Sequence, residues 1–157
     1  MEKPNLFFRS TLFFLSLMLS IHLSSFAQTE EENVKAVIQS LFEGMKSKNA
    51  ALVESAFYAK APMQTVIPGE NGSTIGTNAV SDFVARIANT PEETQLDERI
   101  LDYQIKVDGN MASAWTPYEF YVNDQFSHCG VNSFQLVKMA EGWKIVYIID
   151  TRRKEGC

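Results

Sequence analysis

The chain has 157 residues, with 14 Lys plus Arg against 19 Asp plus Glu, a formal net charge of −5, 45% hydrophobic and 21% charged residues. That apolar content excludes a disordered chain, and the acidic balance argues against nucleic acid or an anionic membrane surface as partner. The length suits one domain.

The N-terminus reads as a leader. Lys3 and Arg9 precede an apolar run from Thr11 to Leu23, and Ser25-Phe26-Ala27 supplies a small-x-small cleavage site. The run, about 13 residues, is short of the roughly 20 that cross a bilayer. A signal peptide over residues 1–27, cleaved after Ala27, and a domain over residues 28–157 are therefore expected, in the periplasm or secreted. Position 28 is Gln rather than Cys, so a lipid anchor at that site is not expected and the product should be free of the membrane.

Thr29-Glu30-Glu31-Glu32 is a capping box that opens a helix. Val34, Val37, Ile38, Leu41, Phe42 and Met45 then give one apolar stripe through about Ser47. Asn49 caps a second, short helix through Phe57. Residues 58–67 contain Pro62 and read as an irregular edge strand, followed by the turn-forming Pro68-Gly69-Glu70-Asn71-Gly72. A short strand at 73–76 leads to Thr77 as cap of a third helix ending near Asn89. Beyond Leu96 the period becomes two, and turn residues at Asp108-Gly109, Asn123-Asp124 and Ala140-Glu141-Gly142 divide strands over about 99–107, 111–122, 125–139 and 143–152. Three helices followed by an antiparallel meander make an α+β domain.

The helix, short helix, hairpin, helix and meander order, with Phe134-Gln135-Leu136-Val137-Lys138 and Gly142-Trp143-Lys144-Ile145-Val146 in the last hairpin, resembles the nuclear transport factor 2-like superfamily. Within it the closing strands are similar to the SnoaL-like and lumazine-binding-like branch. The resemblance covers essentially all of residues 28–157. It implies a cone: three N-terminal helices packed on a curved antiparallel sheet, a pocket inside, and an outer sheet face that often meets a second subunit. A homodimer through that face is expected. Superfamily members include isomerases, dehydratases, polyketide cyclases and proteins that only bind, so activity must come from the site itself.

Turn lengths set a provisional register with Val122 opposite Gln125 and Met139 opposite Trp143. Glu119 then pairs with His128, Trp115 with Asn132, Asn132 with Asp150, and Gly130 with Arg152. These share the pocket face with Tyr121, Phe126, Phe134, Leu136 and Ile148, while Leu101, Tyr103, Ile105, Val107, Ala112, Ala114, Val131, Ile145, Tyr147 and Ile149 lie on the outer face. His128 is the one histidine outside the leader. Its pairing with Glu119 would orient the imidazole for acid–base work, with Asp150 moving a second proton. Trp115, Tyr121, Asn132, Phe134 and Arg152 are candidate ligand contacts. Tyr58 joins them because the resemblance implies a polar catalytic group on the early hairpin, where residues 59–64 hold no carboxylate.

A metal site lacks ligands, since Cys129 alternates away from His128. No phosphate loop, nucleophile-elbow serine or Cys-x-x-Cys appears, so no cofactor is called for. Export would let Cys129 and Cys157 bond; the alternative is a buried Cys129 and a free Cys157. Three functions fit: a small-molecule-binding domain, a cofactor-free lyase or isomerase using His128 and Glu119, and a protein-interaction module with a vestigial pocket.

Overall fold

The computed structural model describes residues 28–157; the leader expected at 1–27 lies outside them. Thr29 caps α1 (Glu30–Lys46) with both bonds of the capping box, Glu32 N–H to Thr29 Oγ1 at 3.2 Å and Thr29 N–H to Glu32 Oε2 at 2.8 Å. Asn49 Oδ1 accepts from Leu52 N–H at the start of α2 (Ala50–Ala56). Gly44 lets the two helices close together, since a Cβ there would stand 2.8 Å from Val53 Cγ2.

Next come β1 (Pro62–Ile67), β2 (Thr74–Ala79) and α3 (Val80–Ala88). The second strand outruns the expected one and absorbs Thr77. The helix therefore starts at Val80, with no side-chain cap from Ala79. Nor is β1 an edge: it lies between β2 and the last strand, and Pro62 is tolerated because it stands first in the strand.

The expected strand at 99–107 is two, β3 (Leu96–Ile100) and β4 (Gln104–Asp108), both paired with β5 (Met111–Val122). Pro117 explains the break. Its carbonyl accepts from Leu101 N–H at 2.9 Å, but with no N–H of its own it cannot return the bond. β6 (Gln125–Met139) and β7 (Gly142–Arg153) complete a curved, unclosed seven-stranded sheet in the order β2-β1-β7-β6-β5-β3. Every pairing is antiparallel except β1 with β7.

The three helices pack on the concave side. Val34, Ile38, Leu41 and Phe42 from α1 meet Ala112, Ala114, Phe134, Leu136 and Ile145 from the sheet, all fully or nearly fully buried. At the far end Cys129 and Cys157 are joined by a disulfide, their Cα atoms 5.9 Å apart, which pins the C-terminal tail to β6. No helix among the described residues is long and apolar enough to cross a membrane.

One register detail decides which side chains look inward. The turn at Asn123-Asp124, both with φ near +50 to +58°, holds Val122 opposite Gln125 and Tyr121 opposite Phe126. A bulge follows: Ser127 has no partner, and Phe120, not Glu119, stands opposite His128. From there to the far end of β5 the phase is the reverse of that expected. Ala112 and Ala114 turn into the core, as do Ile105 on β4 and, past the irregularity at Gln135/Leu136, Ile145 on β7, while Trp115, Glu119, Tyr121 and Phe126 turn outward.

Candidate functional site

The wider part of the concave side is not filled. A cavity of about 300 Å³ lies between the sheet and the helices, open at the surface. Leu41, Phe42 and Met45 of α1, Phe83 and Ile87 of α3, Met63 of β1, Leu96 of β3, Phe120 of β5 and Ile148 of β7 make most of it apolar. The wall made by β3, β5, β6 and β7 holds Glu98, Tyr118, His128, Asn132, Asp150 and Arg152, while β1, β2 and the α3 region add Gln64, Thr65, Asn78, Arg86 and Thr90.

Two carboxyls dominate that wall. Asn132 Nδ2 donates to Glu98 Oε1 at 2.7 Å. Burial raises Glu98 from its usual carboxylate range to about 7; the Asn132 bond opposes this and the nearby Asp150 adds to it. Asp150, 8% exposed, accepts at Oδ2 from Arg152 Nε at 2.8 Å and from the Tyr118 hydroxyl at 3.4 Å. Its Oδ1 is buried without a partner. The Tyr118 hydroxyl also donates to the Thr151 carbonyl at 3.1 Å, and burial, then the charges of Glu98 and Asp150, push its pKa up, so it stays protonated.

His128 enters from β6 with its ring 5.1 Å from that of Phe120 and 5.8 Å from that of Tyr118. Its Nδ1 lies 3.0 Å from Ser127 Oγ. Burial, and then the Arg152 charge, lower its pKa, which keeps the imidazole neutral near pH 7.

Residues 29–148 match the model of the family described as "Putative lumazine-binding". The chain belongs to this family. Solved structures place the family's fold here. A nuclear transport factor 2-like protein from Shewanella baltica, 18% identical, aligns with a TM-score of 0.59 over 80% of this chain and 95% of its own. A counterpart from Salmonella enterica, also 18% identical, gives 0.61 over 82% and 94%. A protein from Streptomyces avermitilis described as a "putative dehydratase" of the same superfamily, 15% identical, gives 0.61 over 79% and 96%. No curated protein matches the sequence.

In this lumazine-binding-like domain the cavity brings together four of the residues singled out from the sequence: His128, Asn132, Asp150 and Arg152. It does not gather the others. Glu119 stands opposite Cys129 on the outer face, where its Oε2 accepts from the Tyr121 hydroxyl at 2.8 Å. The expected Glu119–His128 pair is therefore not formed, and the cause is the extra residue at Ser127. Trp115, 49% exposed, and Tyr121, whose ring carries the Arg99 guanidinium at 3.9 Å, are outside for the same reason. Phe134 does face inward, but it is completely buried edge-on to Phe42, with ring centroids 6.3 Å apart, and belongs to the core beneath the cavity. Tyr58 is 42% exposed and does not line the cavity; its N–H donates to the Ile145 carbonyl.

The sequence reading does not single out Glu98 or Arg86, and it offers Tyr118 only with Trp115, Tyr121 and Phe134 as a stacking surface for a planar ligand. Glu98 lies at period two between Leu96 and Ile100, an acid on an otherwise apolar strand face, and that alternation was its signal. Tyr118 became an inward residue only once the bulge had reversed the phase of β5. Among the described residues no group of three His, Cys, Asp or Glu side chains is arranged to hold a metal ion.

Proposed function

We propose that this domain binds a small, largely apolar molecule inside the cone. The observation that carries the reading is the cavity itself: about 300 Å³, lined largely by apolar side chains, with a cluster of hydrogen-bonding groups on the wall formed by β3, β5, β6 and β7. Small-molecule sites have that composition, because apolar surface supplies affinity and a few polar groups set orientation. Family membership supports it. Native mass spectrometry of the protein purified from its own cells tests it. A co-purified adduct is expected, and it should disappear when Ile148→Trp fills the cavity while the circular dichroism of the fold is kept. An adduct that survives that substitution would refute the assignment to this cavity.

Export and pairing belong to the same proposal. Residues 1–27 have the composition of a cleaved leader, and a Cys129–Cys157 bond persists in an oxidising compartment such as the periplasm or the cell exterior. Trp115, Val131, Tyr147 and Ile149 on the outer sheet face supply apolar surface for a second copy.

A second reading, cofactor-free proton transfer in a lyase or isomerase, is favoured by one observation. Glu98, raised to about 7, and a neutral His128 line the same largely apolar chamber. Glu98 takes the place first given to Glu119. This reading requires that Glu98→Gln abolish turnover of a substrate that the variant still binds.

A further inference from the structure

The reading that the cavity holds a small molecule is the starting point for a narrower one. We propose that the ligand is an amphipathic monoanion, with its apolar body in the cavity and its anionic head, a carboxylate or a group of like charge, against the guanidinium groups of Arg86 and Arg152 at the mouth.

The charges around the cavity lead to this class. On the inner wall the charge of Asp150 is matched by Arg152, although its Oδ1 has no hydrogen-bond partner, and burial raises Glu98 to about 7, so that it is about half protonated at neutral pH. Arg86 differs. It lies on the exposed side of α3 and borders the cavity, and its guanidinium stands 5.7 Å from the ring of Phe83, which borders the cavity too. Among the described residues it has no carboxylate partner, although the chain as a whole carries more acids than bases. Arg152 engages Asp150 through Nε, leaving its terminal N–H groups to reach a second acceptor in the forked geometry that suits a carboxylate. Two guanidinium groups thus border the largely apolar cavity, Arg86 from α3 without a carboxylate partner among the described residues and Arg152 from β7 engaged through Nε alone.

Volume limits the body. A water molecule occupies about 30 Å³ in the liquid, so the cavity of about 300 Å³ takes roughly 10–15 heavy atoms: two fused rings or a medium acyl chain. A cationic ligand would meet Arg86 and Arg152 on entry and would need Glu98 ionised inside an apolar chamber, a costly arrangement.

Three probes of one shape separate the cases: 2-naphthoate, 2-naphthamide and 2-naphthamidinium, titrated calorimetrically into the purified protein at neutral pH. Naphthoate is expected to bind at least about tenfold more tightly than naphthamide, with naphthamidinium weakest. Arg86→Gln should weaken naphthoate about five- to tenfold and leave naphthamide within about twofold; Arg86→Lys should keep most of the preference. Equal affinities, a preference for the amidinium, or an Arg86→Gln loss shared by all three probes would overturn the monoanion and leave the cavity reading standing. If none of the three binds at millimolar concentration, the cavity reading falls with it.

Discussion

Asn132 on β6 reaches across β5 to hold Glu98 on β3, Nδ2 to Oε1 at 2.7 Å. The bond spans two strand spacings, and it fixes the one acid of β3 that faces the chamber. That arrangement has a cost that depends on pH. A carboxyl raised from 4.5 to about 7 favours the folded state only while it is protonated. Its contribution is fully present below the unfolded pKa and is lost as pH rises through about 7. The amount is at most roughly 3 kcal/mol. Glu98→Gln keeps an oxygen for Asn132 and removes the ionisation. It should stabilise the protein by roughly 1–3 kcal/mol at pH 8 and by little at pH 4, measured by urea unfolding at both pH values.

The same proton should be felt by a ligand. Asn132, Asp150, Arg152 and Tyr118 face Glu98 from the sheet, His128 shares the chamber, and α1 offers it only Leu41, Phe42 and Met45. An apolar guest that displaces water makes an ionised Glu98 less favourable still. Affinity for naphthamide, whose own charge is constant, should fall several-fold between pH 6 and pH 8.5 and become flat in Glu98→Gln. Calorimetric titration across that range checks both parts.

Gly130 on β6 has no room for a side chain. A Cβ there would lie 1.8 Å from the Thr151 carbonyl oxygen and 2.9 Å from the Tyr118 ring. Backbone cannot yield as a flexible side chain can, so Gly130→Ala should push β7 from β6 just where Asp150 and Arg152 enter the cavity. A loss of about 3 kcal/mol or more is expected from thermal or urea unfolding, or failure to accumulate folded protein.

The Cys129–Cys157 bond closes a loop with a sequence separation of 28. Replacing both cysteines by serine should lower stability by about 2–4 kcal/mol in non-reducing unfolding experiments. Wild-type protein in excess dithiothreitol should match the variant.

Trp115 lies near the middle of β5 on the outer face, 49% exposed. If two copies meet there, sedimentation at micromolar concentration should give a dimer for the wild type and a monomer for Trp115→Glu, with ligand affinity unchanged within about twofold. A monomeric wild type would refute the pairing.

The elements were legible because their signals are local. The Thr29 capping box, the α1 stripe and the turn residues at Asn123 and Gly142 act over four or five residues, and the structure follows them. The site was half legible. Asn132, Asp150 and Arg152 pair as the turn geometry indicates, with help from a second irregularity between Gln135 and Leu136 that absorbs a one-residue difference at the last turn. Glu119, Trp115 and Tyr121 went to the wrong side because a bulge is set by tertiary packing around Phe120, Tyr121 and His128, and no motif in Gln125-Phe126-Ser127-His128 announces it. The split of β3 from β4 did have a local cause, in Pro117, two strands' worth of sequence away from the gap it makes.

The unpaired Ser127 divides β6 into two stretches read in opposite phase. Substitutions at Phe126 alter the exterior rim, whereas changes at His128 alter the chamber wall, though only one residue separates them. Loss of that residue by deletion would restore an unbroken ladder with Phe126 still opposite Tyr121 and His128 still opposite Phe120. Only drawing Ser127 into the ladder opposite Phe120 would set Glu119 against His128, so the bulge itself stands between the hydrophobic enclosure seen here and a carboxylate–histidine couple.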